Sequence, residues 1–400
     1  MNRFIKTLLI FLLVILFAAG GFVAGNIYSQ DGAANKLNAG DLGVDSTKLN
    51  RILGYIRNNY LFEYKDKEIT DGVYKGVVGA LGDPYSVYYD PDEYKALNED
   101  TAGEFGGVGI EVSGAEGQFI KVIAPIKGTP AEKAGIMAGD LIVKINDKSF
   151  TADMLTDAVK VMRGKVGEKV KLTVSREVNG TQKELDFDLV REIITVRSVE
   201  AKLLEDNIGY VHLSQFQTHS AEDLIKAVED LKAQGAQRLI LDLRNDPGGL
   251  LDVVLKIADY FMGDGPIMSV KDKNGNGQEY RSDAKMEAIP MVTLVNGGSA
   301  SASEVLSGAL KESGRSEIIG ENTFGKGIIQ QIYDLNYDGE KAGLKLTVAE
   351  FFTPKGNKIH KVGIKPTVEV KLNDGVDKIG VENLKEDNQL QKAIEVVKTK

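Results

Sequence analysis

Cysteine and tryptophan are absent from the 400 residues, and histidine occurs only three times. Without cysteine there is no thiol nucleophile, no disulfide and no Cys/His cluster for structural zinc. A cysteine-free chain tolerates an oxidising exterior, but cytosolic chains can lack cysteine too. The sparse histidines leave a Ser-His-Asp arrangement open without marking one. His212 falls inside an expected strand, His219 before a helix and His360 in a Lys-rich turn, and none sits in a motif. Basic runs are also missing, and the formal net charge is −9, which argues against a nucleic-acid partner. No tandem repeat or low-complexity block is visible. Apolar content of 42% and charged content of 27% are ordinary for globular protein. The length suggests two or three domains, each able to bury a core.

Long apolar stretches are equally scarce, with one exception at the N-terminus. Arg3 and Lys6 precede an uncharged run from Thr7 to Gly25, rich in Leu, Ile, Phe and Val. That is just long enough to cross a bilayer as a helix, and the flanking positive charges place the N-terminus inside. A cleaved signal peptide is the rival reading. The run is long for a signal peptide and no clean A-x-A site follows, so an uncleaved anchor is expected. On either reading, residues beyond about 30 lie outside the cytoplasm. Residues 30–46 are small and polar, and read as a linker.

Helical spacing then recurs at Leu49, Ile52, Leu53 and Ile56, and again at Val73, Val77, Val78 and Leu81 before Gly82-Asp83-Pro84. The aromatic segment Tyr85 to Tyr94 reads as an irregular packed connection. From Gly103 short strands take over, at Val108–Val112, Phe119–Ile123 and Asp140–Asn146. A one-turn helix at Thr129–Gly135 and a longer one through Leu155, Val159 and Met162 complete a compact α+β module with Val170–Val174 and Leu185–Leu189. The remainder alternates: strands at Ile208–Leu213, Arg238–Leu243 and Met291–Asn296 are each followed by a helical pattern. This predicts an α/β layer with largely parallel strands. Leu390, Ala393, Ile394 and Val397 mark a last helix.

The chemistry concentrates around Gly298-Ser299-Ala300-Ser301-Ala302-Ser303-Glu304 and Thr323-Phe324-Gly325-Lys326-Gly327. Ser301 falls where a buried strand turns into a helix, so unpaired N–H groups and a positive helix end are available to a developing oxyanion. A serine needs a base to become a nucleophile, and Lys326, in an apolar setting, is a candidate whose burial would lower its pKa. The plainer alternatives are that Ser301 caps its helix in a capping box with Glu304, and that Lys326 is a solvated surface lysine. The small residues before Ser301 favour the open-approach reading, because a cap does not need them. Gln330 lies four residues after Lys326; whether it faces the lysine depends on the local backbone. Asp246-Pro247-Gly248-Gly249 is either an ordinary strand–helix turn or an exposed pair of glycine N–H groups forming half an oxyanion hole.

These segments together resemble the C-terminal processing peptidases, also called tail-specific proteases, over residues ~45–400. The resemblance rests on Gly82-Asp83-Pro84-Tyr85-Ser86 with Tyr88, Pro91 and Glu93, on Gly106-Gly107-Val108-Gly109-Ile110 with Gly128-Thr129-Pro130-Ala131, and on Ala138-Gly139-Asp140-Leu141-Ile142. It rests further on Asp242-Leu243-Arg244-Asn245 with Pro247-Gly248-Gly249, on the Ser301 and Lys326 motifs, and on the 25 residues between them.

The fold implied is α/β: a crotonase/ClpP-like α/β protease core with an inserted α+β PDZ domain, an N-terminal helical region and an N-terminal membrane helix. The implied division is 1–30 anchor or signal segment, 31–92 linker and helical region, 93–190 PDZ domain, 191–370 core and 371–400 helical tail. The resemblance implies an extracytoplasmic serine endopeptidase without cofactor or metal. Ser301 would be the nucleophile, Lys326 the base and Gln330 its orienting residue. Gly248, Gly249 and Ala302 would supply the oxyanion hole. Gly106, Gly107, Val108, Gly109 and Ile110 would bind the free C-terminus of a protein or peptide substrate by strand addition. A homodimer and membrane attachment through the N-terminal helix are the other implied partners. The alternatives are a membrane-anchored PDZ adaptor without activity, and a hydrolase acting on another acyl group, which the lack of a G-x-S-x-G elbow disfavours.

Overall fold

The structure is a computed structural model that describes residues 46–114, 119–178, 180–283, 286–337, 339–376 and 378–400. The apolar run at 7–25 and the linker lie outside the described residues. Among those described, no helix is long and apolar enough to cross a membrane.

The chain divides into two compact units, Met1–Thr70 and Asp71–Lys400. Within the first, the helix Ser46–Asn59 buries none of its residues. Tyr60 stacks edge-on against both Phe62 and Tyr64.

The second unit is organised around a six-stranded sheet. Its order is Val199–Leu204, Ile208–Leu213, Arg238–Asp242, Met291–Val295, Glu317–Gly320 and Val368–Glu369. The first pair runs antiparallel; the other four pairings are parallel. The strand Met291–Val295 is buried at every position, as expected of a central strand covered on both faces. Successive side chains alternate between those faces. Leu239, Leu241, Met291, Val295 and Ile318 pack under the helices Ser220–Ala233, Leu251–Phe261 and Ala302–Glu312. Ile240, Val292, Leu294 and Ile319 pack under Leu390, Ala393 and Val397 of the helix Asn388–Val397. The last helix therefore covers the second face of the sheet.

A second sheet, which the hydrophobic pattern did not disclose, joins Val87–Tyr89, Gly265–Asp272, Gly277–Ser282 and the long hairpin Ile328–Tyr337/Glu340–Phe352. The stretch expected to be irregular, Tyr85–Tyr94, contains one of its edge strands and then enters the helix Pro91–Ala102. Asp90 caps that helix by accepting from Asp92 and Glu93. Pro91 sits at the first helical position, where proline is favoured.

The α+β module is a sheet ordered Ile110–Ser113, Ile120–Pro125, Leu141–Ile145, Lys169–Val178 and Thr181–Val190, with the helices Pro130–Ala134 and Leu155–Met162. Its own core includes Ile120, Ile142, Ile145, Leu172 and Ala158, all fully buried. The two chain segments that lead into and out of it, Glu104–Gly107 and Glu192–Thr195, pair with each other as an antiparallel ribbon.

Candidate active site

The site begins at the C-terminal ends of the parallel strands. After Val295 the chain turns through Asn296 to Ala300, and each step of the turn is fixed by a hydrogen bond. Ser299 Oγ donates to Leu243 O at 2.7 Å, the Asn296 N–H donates to Ser299 Oγ at 3.0 Å, and the Ala300 N–H donates to Asp246 O at 2.9 Å. Ser301 then adopts φ 55° and ψ −111°, a conformation that non-glycine residues avoid and that surrounding structure must enforce. The helix Ala302–Glu312 starts immediately after it. Ser301 and Glu304 take up the capping-box arrangement that their spacing suggested. In it the Ser301 N–H donates to Glu304 Oε2 at 3.0 Å.

Glu304 is fully buried, and its carboxylate gathers more than this one donor. Its Oε1 accepts from Thr323 Oγ1 at 2.5 Å and from the Gly325 N–H at 2.7 Å, while Oε2 also accepts from the Lys326 N–H at 2.7 Å. One carboxylate thus holds the backbone of Ser301 and the backbone of Lys326. The Phe324 N–H donates to Ser299 O at 3.0 Å, closing the lysine loop onto the serine turn.

The Lys326 side chain is half-buried, and its ammonium lies over the Tyr85 ring, 5.1 Å from the centroid. Burial, and then the like charge of Lys345, lower its pKa below the usual lysine value; the Glu304 and Asp83 carboxylates oppose that shift. Gln330 lies beyond a register shift between Ile329 and Gln330, and its Nε2 donates to Ile328 O at 3.3 Å. Ser301, Lys326, Gln330, Gly248, Gly249 and Ala302 line one cleft of about 800 Å³.

The turn at Gly248-Gly249 stands directly against the serine. A Cβ at Gly248 would lie 2.7 Å from Ala300 O, 2.8 Å from Ala302 N and 2.9 Å from Ser301 Cβ, so only glycine fits. The Gly248 N–H is engaged, however, donating to Asp246 Oδ1 at 2.8 Å. The N–H groups of Gly249 and Ala302 donate to nothing among the described residues. The arrangement therefore leaves two of the three expected oxyanion donors open. Burial pushes the Asp246 carboxyl well above the usual carboxylate range, and its Oδ2 has no partner.

None of the histidines takes a place beside Ser301 in the cleft lining. His212 lines a separate cavity with Asp242 and Arg244, His219 is an exposed neighbour of Glu222, and His360 has its backbone against Gly327.

The five residues expected to bind a peptide end are split by the structure. Gly106 and Gly107 belong to the linking ribbon, Val108 is buried in the module's core, and Gly109 bends with φ 76° against Thr129. Only Ile110 opens a strand, and that strand is the sheet's edge, paired on one side with Ile120–Pro125. The pairing edge therefore runs Ile110–Ser113 rather than from Val108.

Glu304, Asp246, Tyr85 and Lys345 were not anticipated as site residues. Glu304 carried a signal in its capping-box position, and Asp246 in its place two residues before a glycine N–H, where aspartate side chains accept from the backbone.

Comparison with known proteins identifies the family of the chain. A model of peptidase family S41 matches residues 207–370, a PDZ domain model matches 121–176, and a model of the activating protease CtpB N-terminal domain matches 16–93. The carboxy-terminal processing protease CtpA of Bacillus subtilis is 38% identical over 380 residues, spanning 94% of this chain and 79% of that protein. The chain belongs to the carboxy-terminal processing protease family. A carboxy-terminal-processing protease of Bartonella bacilliformis is 38% identical over 89% of this chain and 82% of its own length. CtpB of Bacillus subtilis is 35% identical over 90% of this chain and 76% of its own length. The crystal structure of an S41 protease from Bacteroides fragilis shares the fold at a TM-score of 0.52 with 16% identity, covering 86% of this chain and 92% of that one. This carboxy-terminal processing protease is a serine-type peptidase with a PDZ domain, built on the S41 peptidase fold.

Proposed function

We propose that Ser301 and Lys326 are the nucleophile and base of an extracytoplasmic endopeptidase that cleaves proteins upstream of a captured C-terminus. The observation that carries this reading is the Glu304 carboxylate, which ties both backbones to one point and presents both side chains to one cleft. In the first step neutral Lys326 takes the Ser301 hydroxyl proton while Oγ attacks the peptide carbonyl. The tetrahedral oxyanion forms against the open N–H groups of Gly249 and Ala302. Collapse expels the amine, which receives the proton from Lys326, and leaves an acyl-enzyme on Ser301. Water, deprotonated by Lys326, then attacks that ester, and collapse releases the new C-terminal carboxyl group while Ser301 Oγ takes the proton back from Lys326.

The lowered pKa of Lys326 supports the assignment, because a base must be free of its proton to begin. Gln330 would orient the amine once the lysine turns toward Ser301. The free edge Ile110–Ser113 supports capture of a substrate tail by strand addition, with the bend at Gly106–Gly109 receiving its carboxylate. The apolar run at 7–25 supports a membrane anchor with the catalytic part outside the cytoplasm. The helix Ser46–Asn59, which exposes Ile52 and Tyr55, is the kind of surface a second copy would cover in a homodimer.

The test is digestion of an unfolded model protein by the purified protease beside Ser301→Ala and Lys326→Ala. Cleavage by the parent and by neither variant is expected. Cleavage retained by Ser301→Ala would remove the nucleophile; cleavage retained by Lys326→Ala alone would mean a different base.

A further inference from the structure

The position of the lysine amine carries one step more, resting on the Ser301–Lys326 reading. Lys326 Nζ forms no hydrogen bond or ion pair among the described residues, and what it has is the face of Tyr85. Tyr85 is not free to follow it. The Tyr85 N–H donates to Asp83 Oδ1 at 3.0 Å, and Ser86 Oγ donates to Asp83 Oδ2 at 2.6 Å. The Thr347 N–H donates to Ser86 Oγ at 3.0 Å, and the strand Val87–Tyr89 is paired to Glu340–Phe352 from Val87 opposite Lys345. The backbone that carries the ring is therefore fastened to the sheet that forms one wall of the cleft.

An aromatic face attracts an ammonium and does nothing comparable for a neutral amine. Contact with Tyr85 thus favours the form of Lys326 that cannot act as a base, in a place where the amine makes no hydrogen bond to the serine. We propose that Tyr85 is a resting perch for Lys326: its ring holds the ammonium off Ser301 between turnovers, and the lysine reaches the serine only by leaving the ring. The charged groups facing Lys326 are Lys345 from the strand Glu340–Phe352, Glu304 from the nucleophile helix and Asp83 from the segment carrying Tyr85, with His360 acting on Asp83. Lys345 opposes the charged form and the two carboxylates favour it, so the ring adds to the carboxylates' side. Gln330, bonded to Ile328 O, is not holding the amine in this arrangement.

The perch is a positioning role, and its test separates it from packing. Tyr85→Leu removes the ring face but keeps an apolar group over the amine, so burial of Lys326 is preserved. Tyr85→Phe keeps the face. The readout is the reactivity of the Lys326 amine toward acetic anhydride as a function of pH, quantified by mass spectrometry in a Ser301→Ala background, where no turnover is needed. In Tyr85→Leu the titration should move about half a pH unit toward acid, making the amine roughly threefold more reactive below its midpoint. Tyr85→Phe should match the parent. In the active background the acid limb of kcat/KM should move with it.

A titration that stays in place in Tyr85→Leu, or that moves alkaline, overturns the perch, as does an equal shift in Tyr85→Phe. An amine that titrates as expected beside a Lys326→Met protease that still cleaves leaves the perch as a contact and overturns the base assignment instead.

Discussion

The backbone N–H groups of Ser301 and Lys326 donate to the same oxygen of Glu304, at 3.0 and 2.7 Å. The separation of the proposed nucleophile and base is thereby set by a third residue, whose contacts reach only their backbones. Thr323 and Gly325 complete the carboxylate's shell, so all its contacts lie on the two segments it joins.

Glu304→Gln replaces an oxygen that accepts from two donors with an amide NH2 that accepts from none. Each buried donor left without a partner costs about 1–3 kcal/mol. Displacement of the two segments on the order of 1 Å costs about 100-fold in rate. The expected result is a lower Tm and a kcat reduced by about that factor, with KM little changed; thermal melts and initial rates measure both. A kcat close to the parent's would show that the serine and lysine loops hold their spacing without the carboxylate.

Lys326 supplies a pH dependence of known sign. Its pKa in the folded protein is lowered by burial and by Lys345, so the charged form is penalised relative to the unfolded chain. That penalty is fully present below the lowered pKa, shrinks as pH rises from there, and is gone above the unfolded value of 10.5. Lys326→Met should therefore melt at a higher temperature than the parent at neutral pH, with the difference narrowing toward pH 10.5. Parent activity should rise over the same direction of pH as the amine loses its proton. Melting curves and kcat/KM across neutral to alkaline pH check the pair of trends, and a parent profile flat in pH counts against a lysine base.

Gly249→Ala tests the oxyanion turn. The added Cβ would sit 2.2 Å from Phe216 O, so the turn has to move, and with it the open N–H. Loss of one such donor lowers kcat by about 100- to 1000-fold. Binding of a tail peptide to the PDZ domain, read by fluorescence anisotropy, should be unaffected.

The last helix enters through a buried ion network. Arg244, fully buried, donates to Asp242 and to both oxygens of Asp387, and Asp387 also accepts from the N–H groups of Gly380 and Leu390. Removing one member of such a network strands a buried charge and costs about 3–5 kcal/mol. Asp387→Ala should lower the unfolding free energy by about that amount in urea titration. Wild-type stability in the variant would mean that water or Gln389 takes over the guanidinium.

Much of the structure around Ser301 and Lys326 was legible in the chain because it is local. An apolar run followed by small residues and a helical repeat marks the strand, turn and helix around Ser301, and the glycines around Lys326 mark its loop. The four donors on Glu304 were not legible, because three come from residues 323 to 326, a separation that only the folded backbone closes. The same applies to the second sheet. Its hairpin strands Ile328–Tyr337 and Glu340–Phe352 carry interspersed polar residues, and they find partners in Val87–Tyr89 and Gly265–Asp272 from distant parts of the sequence. The Gly248 N–H shows the converse. Its capture by Asp246 spans only two residues, yet in the sequence that N–H reads as an exposed oxyanion donor.

The ribbon formed by Glu104–Gly107 and Glu192–Thr195 brings the chain's departure from the core beside its return: the Val196 N–H donates to Gly103 O at 2.8 Å. The core is thus already stitched shut beneath the domain it carries. Everything between those two residues is topologically a detour, and a short loop from Gly103 to Val196 would bypass it without asking any strand of the catalytic sheet to find a new neighbour.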